Sequence, residues 1–290
     1  MIYTFIKQLA LISILLIFFG SCNNKPKSSE FIKKDPGYWQ KLISFTNDSN
    51  ALPKGYAAWV NAVFATQDDS VFYDTKNDLR DRFFVKIDRS AKDNFLKRAV
   101  SGFTEGDSVC ILIKPKTFFE QQFKSAVPFF SVNDTVVKVY FKVKKLLTEQ
   151  EFNSVSEQFI QTEAEEIQAF FGSAADLEKA RDPLGFYWVQ RPDSSSGKQI
   201  ASGEQINISY SGGFLNGRII DVSPADFQLV YGTPDQLLKG LNNVIGRLKI
   251  GQTSKIILPS QLAFGEMGSS NGSVPPYTPM LYKISITDKN

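Results

Sequence analysis

The chemistry open to this chain is restricted by the absence of histidine from its 290 residues. Histidine is the commonest general base and the commonest metal ligand, so a Ser-His pair, a Cys-His pair and a histidine-built zinc site are all excluded. Cysteine occurs twice, at Cys22 and Cys110. We therefore expect a site that acts without histidine, with no metal and no cofactor.

The stretch from Gly251 to Pro276 is the best candidate for such a site. It combines a predicted strand, a turn at Pro259, a polar and glycine-rich flexible tip over residues 265–272, and a double proline at its end. The apolar side chains beside the tip are expected to face each other across a concave and mostly apolar site. They are Phe264, Val274 and Tyr282.

Length and charge limit the class of protein. The chain is long enough for two ordinary domains, and its hydrophobic fraction of 42% is sufficient for real cores. Lys and Arg number 33 against 30 Asp and Glu, which is close to balance. A nucleic-acid partner is therefore not expected, because domains that bind nucleic acid usually carry a clear excess of basic residues.

The first 21 residues have the pattern of an export signal, with Lys7 followed by an apolar run and then by small residues. The run has about eleven residues, whereas about twenty are needed to span a bilayer. A cysteine directly after the small residues resembles the bacterial lipoprotein pattern. We expect a signal peptide at 1–21, lipidation of Cys22 and a polar tether over 22–35. An ordinary signal peptide or anchor helix is the alternative.

Residues 36–147 are predicted to be mostly β-structure. Apolar residues alternate with lysine and tyrosine from Val137 to Lys144, which indicates a strand with one solvent-exposed face. The lysines are expected to form that face, and a basic binding patch is the alternative. Cys110 lies in another apolar strand and is expected to be a buried free thiol.

Residues 148–184 are predicted to form a helical linker. Thr148 and Glu151 have the spacing of a capping box, and apolar residues follow at helical spacing as far as Phe171. Gly172 is expected to end the helix. The aromatic residues of this helix are expected to pack in a core, and a surface for a partner is the alternative.

Residues 185–290 are predicted to form a second β-rich unit. Asn216-Gly217 is a strong hairpin signal, and Thr233-Pro234 is typical of a helix N-terminus. The apolar face of that helix is predicted to contain Leu237, Leu238, Leu241, Val244 and Ile245.

The two β-rich regions are similar in sequence when one is laid over the other. At one constant offset Leu96 aligns with Leu241, Gly106 with Gly251 and Phe119 with Phe264. At a slightly different offset Asp74 aligns with Asp221, and Val127-Pro128 with Val274-Pro275. Because glycine, acid, aromatic and proline residues coincide in the same order, we infer two copies of one fold, of which the first is degenerate.

An ordered series of motifs runs from Gly203 to Asp288. It comprises Ile208-Ser209-Tyr210-Ser211-Gly212, residues 216–221, Leu237-Leu238-Lys239-Gly240-Leu241, residues 248–252, Ile257-Leu258-Pro259, Leu262-Ala263-Phe264-Gly265 and Val274-Pro275-Pro276. This series resembles the FKBP-type peptidyl-prolyl cis-trans isomerases. The resemblance implies an α+β fold with two FKBP-like units, each a twisted antiparallel β-sheet wrapped around a short α-helix, joined by a linker helix.

The resemblance also implies a pocket between the sheet and the helix of the second unit. The catalytic positions fall on Tyr210, Asp221 and Phe264. The substrate-binding positions fall on Ile220, Phe227, Leu237, Leu238, Leu241, Val274 and Tyr282. The family pattern usually has other residue types at four places, which are Ile220 for an aromatic residue, Leu241 for tryptophan, Phe264 for tyrosine and Ser273 for an aliphatic residue.

The implied activity is cis-trans isomerisation of the bond before proline, by desolvating and twisting that bond in an apolar pocket. The expected partners are proline-containing polypeptides, with the membrane contacted through the lipid on Cys22, and a homodimer is left open. The expected location is the bacterial cell envelope, at the outer membrane facing the periplasm, where the protein assists the folding of exported proteins. The alternatives are a non-catalytic chaperone or scaffold with the same pocket and a membrane-attached structural module. The first unit is expected to be a structural, dimerising or client-binding copy.

Overall fold

The computed structural model describes the chain over residues 30–34, 37–45, 55–88, 94–192, 197–224 and 227–287. The predicted signal peptide at 1–21, the predicted lipidation site Cys22 and most of the predicted tether at 22–35 lie outside these residues. Within the described ranges, no helix combines the length and the apolar composition that crossing a membrane requires.

A seven-stranded antiparallel sheet is the framework of the first unit. Its strands are β1 (Ile32–Lys34), β2 (Tyr38–Ser44), β3 (Ala57–Ala65), β4 (Val71–Asp74), β5 (Phe84–Lys86), β6 (Ser108–Ile113) and β7 (Val137–Leu147). Along the sheet they lie in the order β1-β2-β6-β7-β3-β4, and β5 also pairs with β3. The longest strand, β7, is therefore central.

Strand β7 has the alternating burial that its sequence predicts. Val139 and Phe141 are buried, whereas Lys142 and Lys144 are exposed on the opposite face. The prediction that the lysines form a solvent-exposed face is therefore confirmed. In the neighbouring strand β6, Cys110 is buried and free, and burial raises the pKa of its thiol.

Short helices close the core of the first unit. They are α1 (Thr75–Asp78), α2 (Phe95–Val100) and α3 (Pro115–Gln122). Asn94 begins α2 by accepting hydrogen bonds from the backbone N–H groups of Leu96 and Lys97. The apolar side chains of α2 and α3 are buried against one face of the sheet. Each large side chain that is fully buried in this way stabilises the fold by about 1.5–3 kcal/mol.

Two helices, α4 (Glu149–Phe171) and α5 (Ala174–Ala180), connect the two units. The Thr148 hydroxyl accepts a hydrogen bond from the Glu151 N–H (3.2 Å), and the Glu151 carboxylate accepts one from the Thr148 N–H (2.9 Å). Hydrogen bonds from Lys145 and Thr148 lower the pKa of Glu151 to about 2. Helix α4 ends at Gly172, whose φ of +75° is easily adopted by glycine. The predicted helix and both its ends are confirmed, whereas α5 was not predicted.

Helix α4 contacts both units. Phe152 is buried against Phe84 of the first unit, with ring centroids 5.6 Å apart. Phe159 packs on Tyr277 of the second unit, with ring centroids 5.7 Å apart. The prediction of core packing is therefore confirmed for Phe152, whereas Phe159 is half-buried between the units and Phe170 is exposed.

Glu163 of α4 is a buried carboxylate at the junction with the second unit. Its Oε2 accepts a hydrogen bond from the Ser260 hydroxyl (2.7 Å), and its Oε1 accepts one from the Ser260 N–H. Burial raises the pKa of Glu163, although both hydrogen bonds act in the opposite direction. Removal of the carboxylate from water therefore changes its pKa more than the two hydrogen bonds do.

We expect the stability of this junction to depend on pH through Glu163. A raised pKa in the folded state contributes stability that is complete below the ordinary glutamate pKa of 4.5 and is lost as the pH rises through the folded-state pKa. In Glu163→Gln, which carries no charge at any pH, this part of the pH dependence should be absent. The free energy of unfolding, measured by urea titration from acidic to neutral pH, checks this.

The matched control for this prediction is Glu157→Gln, at an exposed position on the same helix. Its pH profile should follow that of the wild type. A constant difference between wild type and Glu163→Gln over the whole pH range would contradict the prediction.

A six-stranded antiparallel sheet is the framework of the second unit. Its elements are β8 (Tyr187–Gln190), β9 (Gln205–Gly213), β10 (Ile219–Val222), β11 (Phe227–Val230), α6 (Lys239–Ile245), β12 (Thr253–Leu258) and β13 (Met280–Thr287). The strands lie in the order β10-β9-β13-β12-β8, and β11 also pairs with β9. The predicted hairpin turn at Asn216-Gly217 joins β9 to β10.

The two sheets have the same topology. The order β2-β6-β7-β3-β4 in the first unit matches β8-β12-β13-β9-β10 in the second, and β5 pairs with β3 as β11 pairs with β9. In both units a short helix, α2 or α6, directly precedes in the chain the second strand of that series, β6 or β12. The α+β fold class, with two similarly built units joined by a helix, is therefore confirmed.

The helix of the second unit begins later than predicted. The sequence predicts its N-terminus at Thr233-Pro234, but α6 begins at Lys239 with Leu238 at the N-cap position. Asp235 has a φ of +61°, a left-handed conformation that no right-handed helix can continue through. Leu237 and Leu238 consequently precede the helix.

Candidate active site

The second unit contains an open cavity of about 470 Å³ between its sheet, the start of α6 and the loop after Phe264. Of the ten side chains predicted for the pocket, seven line this cavity. They are Tyr210, Ile220, Asp221, Leu237, Leu238, Leu241 and Phe264. The structure therefore brings the three predicted catalytic positions together with most of the predicted apolar wall.

Asp221 is held at the edge of the cavity by a hydrogen bond from a buried tyrosine. It lies on β10 opposite Gly212 of β9, and its Oδ2 accepts a hydrogen bond from the Tyr282 hydroxyl at 2.7 Å. Burial raises the pKa of Tyr282, and the hydrogen bond to Asp221 adds to this effect. Tyr282 therefore remains protonated and fixes the orientation of the carboxylate.

The ring of Tyr282 lies directly over the backbone of Gly212. A Cβ atom at position 212 would lie less than 3.0 Å from three ring carbons of Tyr282, a distance that side chains do not tolerate. Gly212 and Tyr282 are also cross-strand partners in the β9–β13 pairing. Glycine is thus required at position 212 for the tyrosine to reach Asp221.

Tyr210 forms the inner wall of the cavity. Its ring packs edge-to-face against Tyr282 (centroids 5.9 Å apart) and against Phe227 (6.4 Å). Burial raises the pKa of Tyr210, and the nearby charge of Asp221 adds to this effect. Its hydroxyl therefore remains a donor at neutral pH.

Three predicted pocket residues do not line the cavity. Phe227 and Tyr282 lie behind Tyr210, so they support the wall rather than form it. Val274, predicted to form the loop side of the pocket, is instead fully buried in the core. Its N–H donates to the Ser269 hydroxyl (2.8 Å) and its carbonyl accepts from the Ser269 N–H (3.0 Å), which closes the loop with the Val274 side chain on the inner side.

Polar residues of the loop complete the cavity where an apolar wall was expected. The sequence did not single out Asp235, Gln236, Ser269, Ser270 and Asn271, and it indicated Ser273 only as a departure from the family pattern. Asn271 accepts hydrogen bonds from the N–H (3.1 Å) and the hydroxyl (2.7 Å) of Ser273, so the tip has an internal bonding network. The polar composition of 265–272 marked this segment as a loop, but no local signal indicated that it faces the cavity.

The equivalent space in the first unit is filled by its own side chains. By cross-strand pairing, Phe64 and Val139 stand where Gly212 and Tyr282 stand in the second unit. The ring of Phe64 packs edge-to-face against Phe118 with centroids 5.1 Å apart, and further phenylalanine rings surround it. The large and small partners have exchanged strands, so the Phe64 ring takes the place that the Tyr282 ring holds in the second unit.

The acid of the pocket has no counterpart in the first unit. The ungapped alignment places Asp74 on Asp221, but strand pairing shows that this is wrong. Tyr73 lies opposite Phe64 as Asp221 lies opposite Gly212. Asp74 instead caps helix α1, where its side chain accepts a hydrogen bond from the Lys76 N–H at 3.0 Å.

Residues 196–287 match the family model of the FKBP-type peptidyl-prolyl cis-trans isomerases. This chain is 26% identical over 133 residues to a probable FKBP-type peptidyl-prolyl cis-trans isomerase of Haemophilus influenzae, a match that covers 44% of this chain and 52% of that protein. It is 28% identical over 108 residues to an FK506-binding protein of Neisseria meningitidis, covering 36% of this chain and 95% of that protein. The matched region therefore spans about half of the first relative and nearly all of the second.

The solved structures that align with this chain include the three FKBP domains of wheat FKBP73. That structure aligns with a TM-score of 0.32 at 15% identity, over 90% of this chain and 98% of the wheat chain. A peptidyl-prolyl cis-trans isomerase from Pseudomonas syringae aligns with a TM-score of 0.33 at 16% identity, over 44% of this chain and 92% of that chain. The family match and the ordered motifs coincide, so residues 196–287 of this chain are similar to the FKBP-type peptidyl-prolyl cis-trans isomerases.

Proposed function

We propose that the second unit catalyses cis-trans isomerisation of the peptide bond before proline in polypeptide substrates. The observation that carries this proposal is the cavity in the region matched by the family model, where Tyr210, Asp221 and Phe264 meet three leucines. The cavity is open to solvent, so a polypeptide can enter it from outside.

The proposed reaction requires no proton transfer, which suits a chain without histidine. Rotation about the peptide bond is opposed by amide resonance with a barrier of about 18–20 kcal/mol. Contact of the proline ring with Leu237, Leu238 and Leu241 removes water from the bond, and an apolar surrounding disfavours its charge-separated resonance form. Binding the twisted bond more tightly than either planar form then lowers the barrier.

Asp221 and Tyr210 have orienting roles in this mechanism. Asp221 is already fixed by the Tyr282 hydroxyl and can accept a further hydrogen bond from a substrate N–H. The Tyr210 hydroxyl can donate to a substrate carbonyl. Phe264 supplies only an apolar surface, because it has no hydroxyl group. We propose that the twisted chain is held by Asp221 and Tyr210 and that Phe264 shields it from water.

This function is tested directly by the refolding rate of a model protein whose slow phase is limited by proline isomerisation. Uncatalysed isomerisation takes roughly 10–100 s, so acceleration by a catalyst is easily resolved. With the full-length chain in detergent, we expect the slow refolding phase of a model protein to become faster in proportion to the amount of chain added. Absence of acceleration at any concentration would reject the proposed activity.

The second candidate is a binding module with the same cavity and no turnover. Phe264 and the polar loop residues favour it, because they provide less apolar surface and fewer donors than the family pattern. It predicts that an unfolded proline-containing polypeptide binds the chain, measured by calorimetry, while the slow refolding phase keeps its rate.

We also propose that the protein is lipid-anchored in the bacterial cell envelope and assists the folding of exported proteins there. The sequence at Ser21-Cys22 supports this proposal. Incorporation of labelled fatty acid into the chain, lost in Cys22→Ser, is the expected result. Labelling that persists in Cys22→Ser would reject Cys22 as the attachment point.

A further inference from the structure

The first unit contacts the cavity loop of the second unit at three places. The Tyr73 hydroxyl donates a hydrogen bond to the Gly272 carbonyl at 2.6 Å. Arg82 donates to the carbonyls of Pro276 (3.2 Å) and Tyr277 (3.0 Å). Lys86 forms an ion pair with Glu266 at 3.6 Å. The start, the tip and the end of the segment 266–277 are therefore all bonded to the other unit.

The Tyr73 hydroxyl is held rigidly. Its ring stacks on Phe64, with centroids 5.4 Å apart and planes 10° apart, and packs edge-to-face against Phe123 at 5.4 Å. Both partners belong to the phenylalanine cluster that fills the first unit. The side chain therefore has little freedom to follow the loop if the loop moves, and the loop is fixed relative to the first unit.

Gly272 packs closely against Tyr73 and Phe123 of the first unit. Its φ is +72°, and a Cβ atom added to it would lie 2.7 Å from the Tyr73 hydroxyl and 2.9 Å from the Phe123 ring. Its chain neighbours Asn271 and Ser273 line the cavity on the other side of the loop. Tyr73 and Phe123 of the first unit therefore determine the position of this wall of the cavity.

Arg82 fixes the end of the same segment. Its guanidinium lies 4.7 Å from the centroid of the Phe159 ring of helix α4 and is itself buried. A buried charged donor whose hydrogen bonds end on backbone carbonyls is costly to displace. The end of the segment 266–277 is therefore fixed relative to the first unit, which limits movement of the whole loop.

We propose that Tyr73 is a positioning residue for the active site of the second unit. This inference rests on the proposed isomerase function, which it deepens by giving the first unit a role. Tyr73 occupies the strand position that Asp221 occupies in the second unit. At the strand position where the second unit has its acid, the first unit thus has the residue that contacts the cavity loop.

The kinetic consequence follows from what the loop contacts. Asn271 and Ser273 lie at the mouth of the cavity, whereas Asp221 and its partner Tyr282 are bonded independently of the loop. A displaced wall weakens binding of the planar and twisted forms of the substrate alike, because it contacts residues that flank the bond. Such a loss raises KM and leaves kcat nearly unchanged.

The test is Tyr73→Phe in the full-length chain, because this change removes the hydroxyl and keeps both ring contacts. With a proline-containing tetrapeptide we expect KM to rise roughly threefold to tenfold, the range for one lost hydrogen bond, with kcat within about twofold. Hydrogen exchange at the Gly272 amide, which donates to the Ser269 carbonyl, should become faster. The matched control is Tyr140→Phe, whose hydroxyl donates to Asp69 within the first unit.

An unchanged KM in Tyr73→Phe, or an equal rise in Tyr140→Phe, would overturn the proposal. A fall in kcat with KM unchanged would overturn it too. The exchange measurement separates this inference from the proposed function. If the wild-type chain has no activity, faster exchange at Gly272 in Tyr73→Phe alone still supports a positioning role, and unchanged exchange rejects it.

Discussion

Replacement of Asp221 by alanine is expected to lower kcat/KM for a proline-containing peptide by about 10- to 100-fold, the range for one lost hydrogen bond to a charged group. The variant loses the acceptor that orients the substrate. It also leaves the buried Tyr282 hydroxyl without the partner it has at 2.7 Å. Peptide isomerisation kinetics measure the effect, and the free energy of unfolding should be measured on the same sample.

The control for this substitution is Asp74→Ala. Asp74 ends the second strand of a hairpin in the first unit and caps helix α1. Its loss should cost about 1 kcal/mol of stability, typical of a helix cap, and leave kcat/KM at the wild-type value. If Asp221→Ala retains wild-type kcat/KM, Asp221 has no part in catalysis.

Replacement of Gly212 by alanine is expected to damage both the packing of the second unit and its active site. The added Cβ would overlap the Tyr282 ring, which is fully buried and cannot swing into solvent. Overpacking of a close-packed core costs about 1–3 kcal/mol. Because any shift of the ring moves its hydroxyl away from Asp221, kcat/KM should fall together with stability.

Gly102→Ala provides the matched comparison. A Cβ atom at position 102 would meet the Ala99 carbonyl at 3.5 Å, an ordinary van der Waals contact. The free energy of unfolding should stay within about 0.5 kcal/mol of the wild type. Denaturant titrations of both variants make the comparison. Equal stability of Gly212→Ala and wild type would contradict the packing described here.

Features that depend on neighbours in the sequence could be predicted well. The capping box at Thr148 and Glu151 is a contact between residues three apart, so the start of α4 was fixed by local chemistry. The alternation of apolar and polar residues along β7 similarly indicates which face of the strand is buried. The hairpin at Asn216-Gly217 needs only a turn that tolerates a positive φ.

Features that depend on pairing across the sheet were predicted less well. Asp74 and Tyr73 differ by one position, and an ungapped alignment chose Asp74 because residue type, not strand register, decided the match. A shift of one residue moves a side chain to the other face of a strand. Only the partners Phe64 and Gly212 show which residue stands in the place of Asp221.

Long-range packing accounts for the remaining differences. The inward position of Val274 depends on its backbone bonds to Ser269, and the start of α6 depends on the left-handed turn at Asp235. The contact between Tyr73 and Gly272 joins residues 199 positions apart. No pattern within a short stretch of sequence predicts such a contact.

The exchange of large and small residues between the two sheets has a consequence for how a tandem repeat avoids misassembly. Two similar units in one chain can trade strands during folding, and hybrid sheets are a known failure of repeated domains. If β3 paired with β13, Phe64 would meet the Tyr282 ring in the space that only Gly212 leaves open. If β9 paired with β7, Gly212 would face Val139 and leave a void. In both hybrid pairings the packing volume is therefore wrong, which disfavours exchange of these strands between units that share a topology.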